Sequence, residues 1–336
     1  AEAAAALRSG KLVVFPTETV YGLGALSRYA RSVEKIYDLK GRERTKHLTW
    51  HVSNFRFLNL LKLKELRALR YLARKFWPGP LTIVVPAEDG KTYGFRMPDH
   101  AIARLLIELC GDPILATSAN KSGRLSPVTV EQALEELGGE IELAIDGGPC
   151  SVGADSTVAD LTERPFRIGR QGPRAGEVRA VLEEIEAGKL AKFKILFVCT
   201  GNTCRSPMAQ YWLAHEIKKR GFSGQFEVES CGVFAYKNMP ATPETQTILR
   251  DEGIDMSAHA ARPLTQELVK EADQIYTMTG EHERFILHRF PHLSGIVKVL
   301  DVEDPIGLSL SVYRDCFSHI RKKLAKEMNF LEDCLL

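Results

Sequence analysis

Along the first half of the chain, short apolar runs alternate with segments in which apolar residues recur every third or fourth position. The runs at 11–15 (KLVVF), 81–85 (LTIVV), 113–117 (PILAT), 141–145 (IELAI) and 156–161 (STVADL) predict strands. Helical spacing predicts helices over 30–39, 63–76, 101–109 and 130–137. The last begins at Thr129 with Gln132 three residues on, a capping-box pattern, and stops at Gly138-Gly139. Some strands stand too close in sequence for crossover helices between them, which leaves room for antiparallel pairs. A mixed, twisted α/β sheet is therefore expected. Glycine and proline gather at 169–178, and 178–188 reads as a short closing helix.

After Gly188 the pattern restarts with a stricter rhythm. Strands are expected at 193–198, 226–230, 274–278 and 296–300, and helices at 207–221, 243–253 and 311–328. Thr242 is placed to cap the second of these helices, with Pro243 in its first turn. Strand and helix in regular alternation predict a doubly wound parallel sheet. The expected domains are 1–190 and 191–336.

Composition changes this picture little. The 336 residues suit two ordinary domains, and 44% apolar and 26% charged residues are usual for a globular chain. A net charge of +2 neither points to nor excludes nucleic acid. No apolar run approaches the ~20 residues of a membrane span, so no membrane partner is expected. The start, AEAAAALRSG, reads as a helix end with a glycine stop rather than a signal peptide. Seven cysteines, odd in number and scattered from Cys110 to Cys334, do not form a disulfide framework, and a cytoplasmic location is expected.

The stretch ILFVCTGNTCRSPMAQYW at 195–212 carries the clearest chemistry. Cys199 closes the first strand of the second half, where ligands of open parallel sheets sit. The turn CTGNTCR lets successive N–H groups converge as an anion nest, and the helix that follows adds its positive end. Such a field lowers a cysteine pKa from ~8.5 towards ~3.5–7.5. Arg205 adds a planar fork able to hold two phosphate oxygens. A lone C-x5-R would more often be an inert buried cysteine. The coincidence with a strand end, a nest and a helix start favours covalent displacement at phosphorus.

These residues, with DVEDPIGLSLSVY at 301–313, closely resemble the low-molecular-weight protein tyrosine phosphatases over the whole second domain. The resemblance implies Cys199 as nucleophile, Arg205 as phosphate clamp, Ser206 as hydroxyl donor to the sulfur, and Asp304 as general acid. Residue chemistry alone leaves Asp301 and Glu303 open beside Asp304. Asn202 and Thr203 belong to the same substrate loop, and no cofactor is implied. Threonine at 203, where tyrosine-specific members commonly carry a bulkier aliphatic residue, is similar to bacterial protein arginine phosphatases. A phosphorylated protein, on arginine or tyrosine, is the implied substrate. Cys204 is placed for a protective disulfide with Cys199, or is a small buried side chain. Thioredoxin-coupled arsenate reductases share a similar loop but need a later resolving pair, and none lies between Cys231 and Cys316.

In the first half no G-x-x-x-x-G-K-[ST] occurs, so phosphate handling needs another device. In an extended chain Lys40, Arg42, Arg44 and Lys46 project from one face and suit an anion among them. A solvated charged loop is the plainer reading. The motifs PTETVYGLG (16–24), IYDLKGR (36–42), PGPLTIV (78–84), FRMPDH (95–100), TSANKSG (117–123) and DSTV (155–158) together resemble the threonylcarbamoyl-AMP synthase family. That implies condensation of L-threonine, bicarbonate and ATP with release of pyrophosphate, and Mg2+ with the ATP. The product serves tRNA threonylcarbamoyladenosine modification by separate proteins, so tRNA and those proteins are indirect partners. Lys40, Arg42, Lys46, Ser118, Asn120 and Arg170 match nucleotide-handling positions. Thr19, Tyr21, His51, Arg96 and Ser156 match the threonine and carbamate pocket.

Three departures stand out. Glu43 and His47 replace usual prolines, and RQG at 170–172 replaces Arg-Pro-Gly. Glu43 is expected to weaken nucleotide affinity, and the segment after Arg170 to be less rigid. A bifunctional enzyme is the expectation; the alternative is a phosphatase regulated by a non-catalytic RNA- or nucleotide-binding module.

Overall fold

A computed structural model describes residues 1–333, and Cys334 lies outside them. The chain divides into two compact units, Ala1–Leu190 and Ala191–Leu336.

The first unit contains strands β1 (Val13–Phe15), β2 (Gly22–Leu26), β3 (Thr49–His51), β4 (Leu81–Pro86), β5 (Thr92–Arg96), β6 (Ile114–Ser118), β7 (Leu143–Ala144), β8 (Thr157–Asp160) and β9 (Arg167–Arg170). Its helices are α1 (Glu2–Arg8), α2 (Ala30–Lys40), α3 (Leu66–Phe76), α4 (Ala101–Cys110), α5 (Val130–Leu137) and α6 (Ala175–Glu186). The strands form one sheet in the order β7-β1-β2-β6-β3-β5-β4-β8-β9. Parallel pairs (β1 with β7, β3 with β5, β4 with β8) mix with antiparallel ones, so the sheet is mixed as expected, though the closely spaced β7 and β8 do not pair. Strand β2 escapes the hydrophobic pattern because it is GLGAL, yet all five residues are buried. Its glycines are steric: a Cβ at Gly24 would sit 2.5 Å from Ile114 Cγ2 on the neighbouring strand. Helix α5 starts as expected, with Thr129 Oγ1 accepting from Gln132 N. The Gln132 amide oxygen reaches back to Val128 N at 2.8 Å, one residue before the cap.

The second unit contains β10 (Phe193–Cys199), β11 (Phe226–Gly232), β12 (Gln274–Thr277) and β13 (Val297–Val299), with α7 (Arg205–Lys219), α8 (Pro243–Asp251), α9 (Gln266–Glu271), α10 (Gly280–Arg289) and α11 (Leu310–Asp333). All three pairings in the order β11-β10-β12-β13 are parallel. Phe197 stacks on Tyr276 at 5.4 Å between ring centroids, and Met208, Leu213, Tyr313 and Phe317 extend that core. Helices α9 and α10 lack a clear apolar stripe and escape the sequence pattern; α10 buries only His282 and Ile286. The chain leaves β10 to pair β11 on one side and returns as β12 on the other. Cys199 therefore ends the strand at the point where the winding reverses, the usual crevice for a ligand.

Candidate functional sites

In the second unit the turn after β10 wraps around the sulfur of Cys199, which is fully buried. Asn202 N–H points at Sγ from 3.3 Å and the Ser206 hydroxyl lies 3.0 Å from it. Asn202 adopts left-handed backbone geometry (φ 56°), and its side chain holds that bend. Nδ2 donates to Ser206 Oγ (2.9 Å) and Ser230 Oγ (2.8 Å), while Oδ1 accepts from Arg262 N (2.9 Å). Asn202 was expected on the substrate side, but its amide is wholly engaged behind the loop and only its backbone N–H faces the sulfur. Gly232 lets β11 pass close beneath: a Cβ there would lie 2.5 Å from Thr200 O.

Arg205 is buried, with Nη1 on Val302 O and Nη2 on Thr200 Oγ1, both at 3.3 Å. Nη2 also forms an ion pair with Asp304, whose side chain is 35% exposed. Among the described residues Arg205 Nε has no hydrogen-bond partner. Of the three acids left open by residue chemistry, it is Asp304 that reaches this guanidinium. Cys204 is buried, its Sγ 3.8 Å from Asp304 Oδ1, and burial pushes its thiol up to about 12. Thr203 is half-buried in the same turn and its carbonyl accepts from Thr242 N.

In the first unit a polar cavity of about 120 Å3 opens among the strand ends. Its wall includes Arg42, His51, Arg96, Ser118, Ser156 and Arg170 of the expected residues, together with Thr17, His47, Thr49, Thr82 and Asp155. Arg96 pairs with Glu18 at 2.8 Å, both side chains almost fully buried. Burial, with Arg96 beside it, pulls His51 down to about 3, so the ring is neutral. His51 Nδ1 lies 3.2 Å from Thr49 O, an acceptor, which assigns the proton to Nδ1 and leaves Nε2 to accept. Ser156 Oγ lies 2.9 Å from Thr82 Oγ1 and accepts from Arg170 Nη2 at 3.0 Å. Arg170 Nε donates to Ser156 O at 2.9 Å, and Gly172 packs so closely that a Cβ would meet Asp155 O at 2.3 Å. Gly172 thus brings the segment after Arg170 against the backbone of residues 155–157.

The extended basic face does not form. Lys40 ends α2, Gly41 caps it in left-handed geometry, and the chain turns through 42–47. Arg44 pairs outward with Glu34 and Asp38. Lys46 pairs with Glu43 at 3.3 Å, so neither side chain lines the cavity. Lys40 is buried and donates to the carbonyls of Ser118 and Asn120; burial lowers it from 10.5 to about 8. Asn120 is likewise turned inward, donating to Arg124 O at 2.6 Å. Arg42 donates to Lys46 O and His47 O while keeping a place on the wall. Thr19 and Tyr21 also fall behind the wall. The Thr19 hydroxyl meets Thr17 Oγ1 at 2.9 Å, and Tyr21 donates to Gly148 O at 2.8 Å. Thr17, Thr49, Thr82, Asp155 and the Glu18 partner escaped sequence reasoning. For Thr49 a signal existed, since it stands two residues from His51 on β3 and shares its face.

Fold and sites together define a two-unit α/β chain that pairs an arginine-walled polar cavity with a cysteine–arginine anion turn. The chain belongs to the Sua5/YciO/YrdC family, described by the words "telomere recombination", whose model matches residues 5–172. Residues 194–333 match the low molecular weight phosphotyrosine protein phosphatase model, so a phosphatase-family domain follows. A threonylcarbamoyl-AMP synthase of Pyrococcus abyssi is 40% identical over 220 residues, covering 62% of this chain and 63% of that protein. One from Bacillus subtilis is 38% identical over 200 residues, covering 56% and 58%. The chain thus spans about three-fifths of the length of these relatives. The crystal structure of P. abyssi Sua5 complexed with L-threonine aligns at 28% identity and a TM-score of 0.52, covering 96% of this chain and 94% of that one.

Proposed function

We propose that the chain is a bifunctional enzyme. The first unit condenses L-threonine, bicarbonate and ATP into threonylcarbamoyl-AMP for tRNA modification, and the second is a cysteine-dependent protein phosphatase. Support for the first comes from the cavity that gathers Arg96, Arg170, Arg42, neutral His51 and Ser156, and from the threonine complex of the Pyrococcus relative. Arg96 and Arg170 suit carboxylate and phosphate oxygens, while His51 Nε2 and the Ser156 and Thr49 hydroxyls suit the threonine hydroxyl and amine. Lys40 and Asn120 act one step back, by holding the 118–120 loop. Among the described residues no three His, Cys, Asp or Glu side chains are grouped to hold a metal, and Asp155 is a carboxylate on the wall. That donor set suits Mg2+ arriving with ATP and keeping phosphate and water ligands.

For the second unit the carrying observation is the convergence of Cys199, Arg205 and Asp304 at the end of β10. The sulfur attacks phosphorus, forming the S–P bond as the bond to the leaving group breaks. Asp304 protonates that leaving group, then takes the proton of the water that cleaves phosphocysteine. Incoming phosphate must displace Asp304 from Arg205 Nη2, which frees the carboxyl for this work. Thr203, with its small hydroxyl side chain, favours phosphoarginine over phosphotyrosine.

Threonine-dependent pyrophosphate release from ATP tests the first half; RNA binding without any turnover would support a regulatory module instead. Phosphoarginine and phosphotyrosine peptides assayed side by side, with Thr203→Ile, test the second. A preference for phosphotyrosine that the substitution leaves unchanged would overturn the specificity.

A further inference from the structure

Helix α10 contributes one buried polar group that the reaction above leaves unused. His282, 6% exposed, bridges two threonines: Nδ1 lies 2.8 Å from Thr279 Oγ1 and Nε2 lies 3.0 Å from Thr200 Oγ1. Thr200 follows the nucleophile, and its hydroxyl oxygen accepts from Arg205 Nη2 at 3.3 Å. We propose that His282 is a positioning residue for the phosphate-binding guanidinium, acting through the Thr200 hydroxyl. The proposal rests on the phosphatase reading of the second unit.

All three contacts are satisfied together when the relay runs from Arg205 through Thr200 to His282 and Thr279. Thr200 Oγ1 already accepts from Arg205, so its own proton is free to donate to His282 Nε2. Nδ1–H then donates to Thr279 Oγ1. Burial, helped by Arg205, lowers the proton affinity of His282, which keeps the ring neutral and able to accept. Asp304, on the acid loop, and Glu281, its neighbour on α10, act in the opposite sense.

A second observation points the same way. Thr129, Thr242 and Thr265 each cap a helix by accepting a backbone N–H with the side chain. Thr279 occupies the same position on α10 yet makes no such bond; its hydroxyl turns to His282 instead. A cap is a favourable contact, and its diversion marks a side chain held for another purpose. The purpose follows from the guanidinium geometry. When phosphate releases Asp304 from Nη2, the contacts with Thr200 Oγ1 and Val302 O remain to hold the fork. Nε, without a hydrogen-bond partner among the described residues, completes the edge offered to the anion.

The test is a double-mutant cycle on the full chain, read by aryl phosphate hydrolysis and by competitive inhibition with inorganic phosphate. His282→Phe and Thr200→Val are each expected to lower kcat/KM roughly tenfold, about one charged hydrogen bond, and to weaken phosphate inhibition in parallel. The double variant should be no worse than the poorer single one. His282→Gln, whose amide oxygen can accept from Thr200, should recover most of the loss. Losses that multiply in the double variant would overturn the proposal. So would a His282→Phe enzyme with a lowered melting temperature but hydrolysis and inhibition within about twofold of the parent. If His282→Phe does not fold, equal losses in Thr200→Val without any change in phosphate inhibition would overturn it as well. A parent chain that hydrolyses no phosphoester instead removes the phosphatase reading itself.

Discussion

Cys199, Asn202, Arg205 and Ser206 come from eight consecutive residues, and one strand-turn-helix unit brings them together. The cavity of the first unit is assembled differently. Thr49 and His51 come from β3, Thr82 from β4, Arg96 from β5, Ser118 from β6, Ser156 from the approach to β8 and Arg170 from β9. A site on one turn is set by local backbone geometry, and its chemistry can be argued from sequence neighbours. A site spread over many strands depends on pairing and register, so each wall residue is an independent consequence of the fold. The two units should accordingly break in different ways.

The largest expected effect comes from the distributed site. Arg96→Met should abolish threonine-dependent pyrophosphate release and also destabilise the first unit by about 3–5 kcal/mol, because Glu18 is left buried without its partner. Urea or thermal unfolding measures the second effect. The double variant Arg96→Met/Glu18→Leu should regain stability but not synthesis. If the double variant regained synthesis, the pair would be only a structural strut.

The local site should lose chemistry without losing its fold. Asp304→Asn should reduce hydrolysis of substrates with poor leaving groups about 10^2–10^3-fold, with far less effect on an activated aryl phosphate. An equal loss on both substrates would deny Asp304 the role of acid. Since Asp304 is partly exposed and its Arg205 partner keeps Val302 O and Thr200, the melting temperature should barely change.

Smaller still is a pH effect that separates activity from stability. Burial lowers Lys40 from 10.5 to about 8, so the folded chain sheds this proton before the unfolded chain does. Between about pH 8 and 10.5 the unfolded state binds more protons here, and the contribution of Lys40 to stability rises with pH. Over the same range the amine loses its charge and one of the donors that hold Ser118 O and Asn120 O. Synthesis should therefore fall above about pH 8 while the Lys40 share of stability grows. A Lys40→Met variant should lack that alkaline limb, and an unchanged limb would assign it elsewhere.

The same contrast explains what was legible from sequence. The strands and helices that the apolar pattern marks lie within a few residues of their expected positions, because that spacing is set by the faces they bury; β3, β5 and β9 carry no such mark. Strand β2 was hidden because close packing against Ile114 and Phe15 demanded glycine, which carries no hydrophobic signal. The Cys199 turn could be reasoned from its own residues, though the inward turn of the Asn202 amide could not. That turn depends on Ser230 and Arg262, which arrive from other segments. In the first unit Arg42, His51, Arg96, Ser118, Ser156 and Arg170 reach the cavity. Lys40, Lys46, Thr19, Tyr21 and Asn120 match motif positions but spend their polar atoms on neighbours. No extended face forms over 40–46, because α2 runs through Lys40 and Gly41 then turns the chain.

The central claim is that one chain carries two separate chemistries, one built on a single sulfur and one that does not involve it. Cys199→Ser in the intact chain tests it most directly, with aryl phosphate hydrolysis and threonine-dependent pyrophosphate release measured on the same preparation. The account predicts that hydrolysis falls by at least about 10^4-fold while pyrophosphate release stays at the parent rate. Hydrolysis that survives the substitution, or a parent chain in which threonine adds nothing to pyrophosphate release, would contradict it.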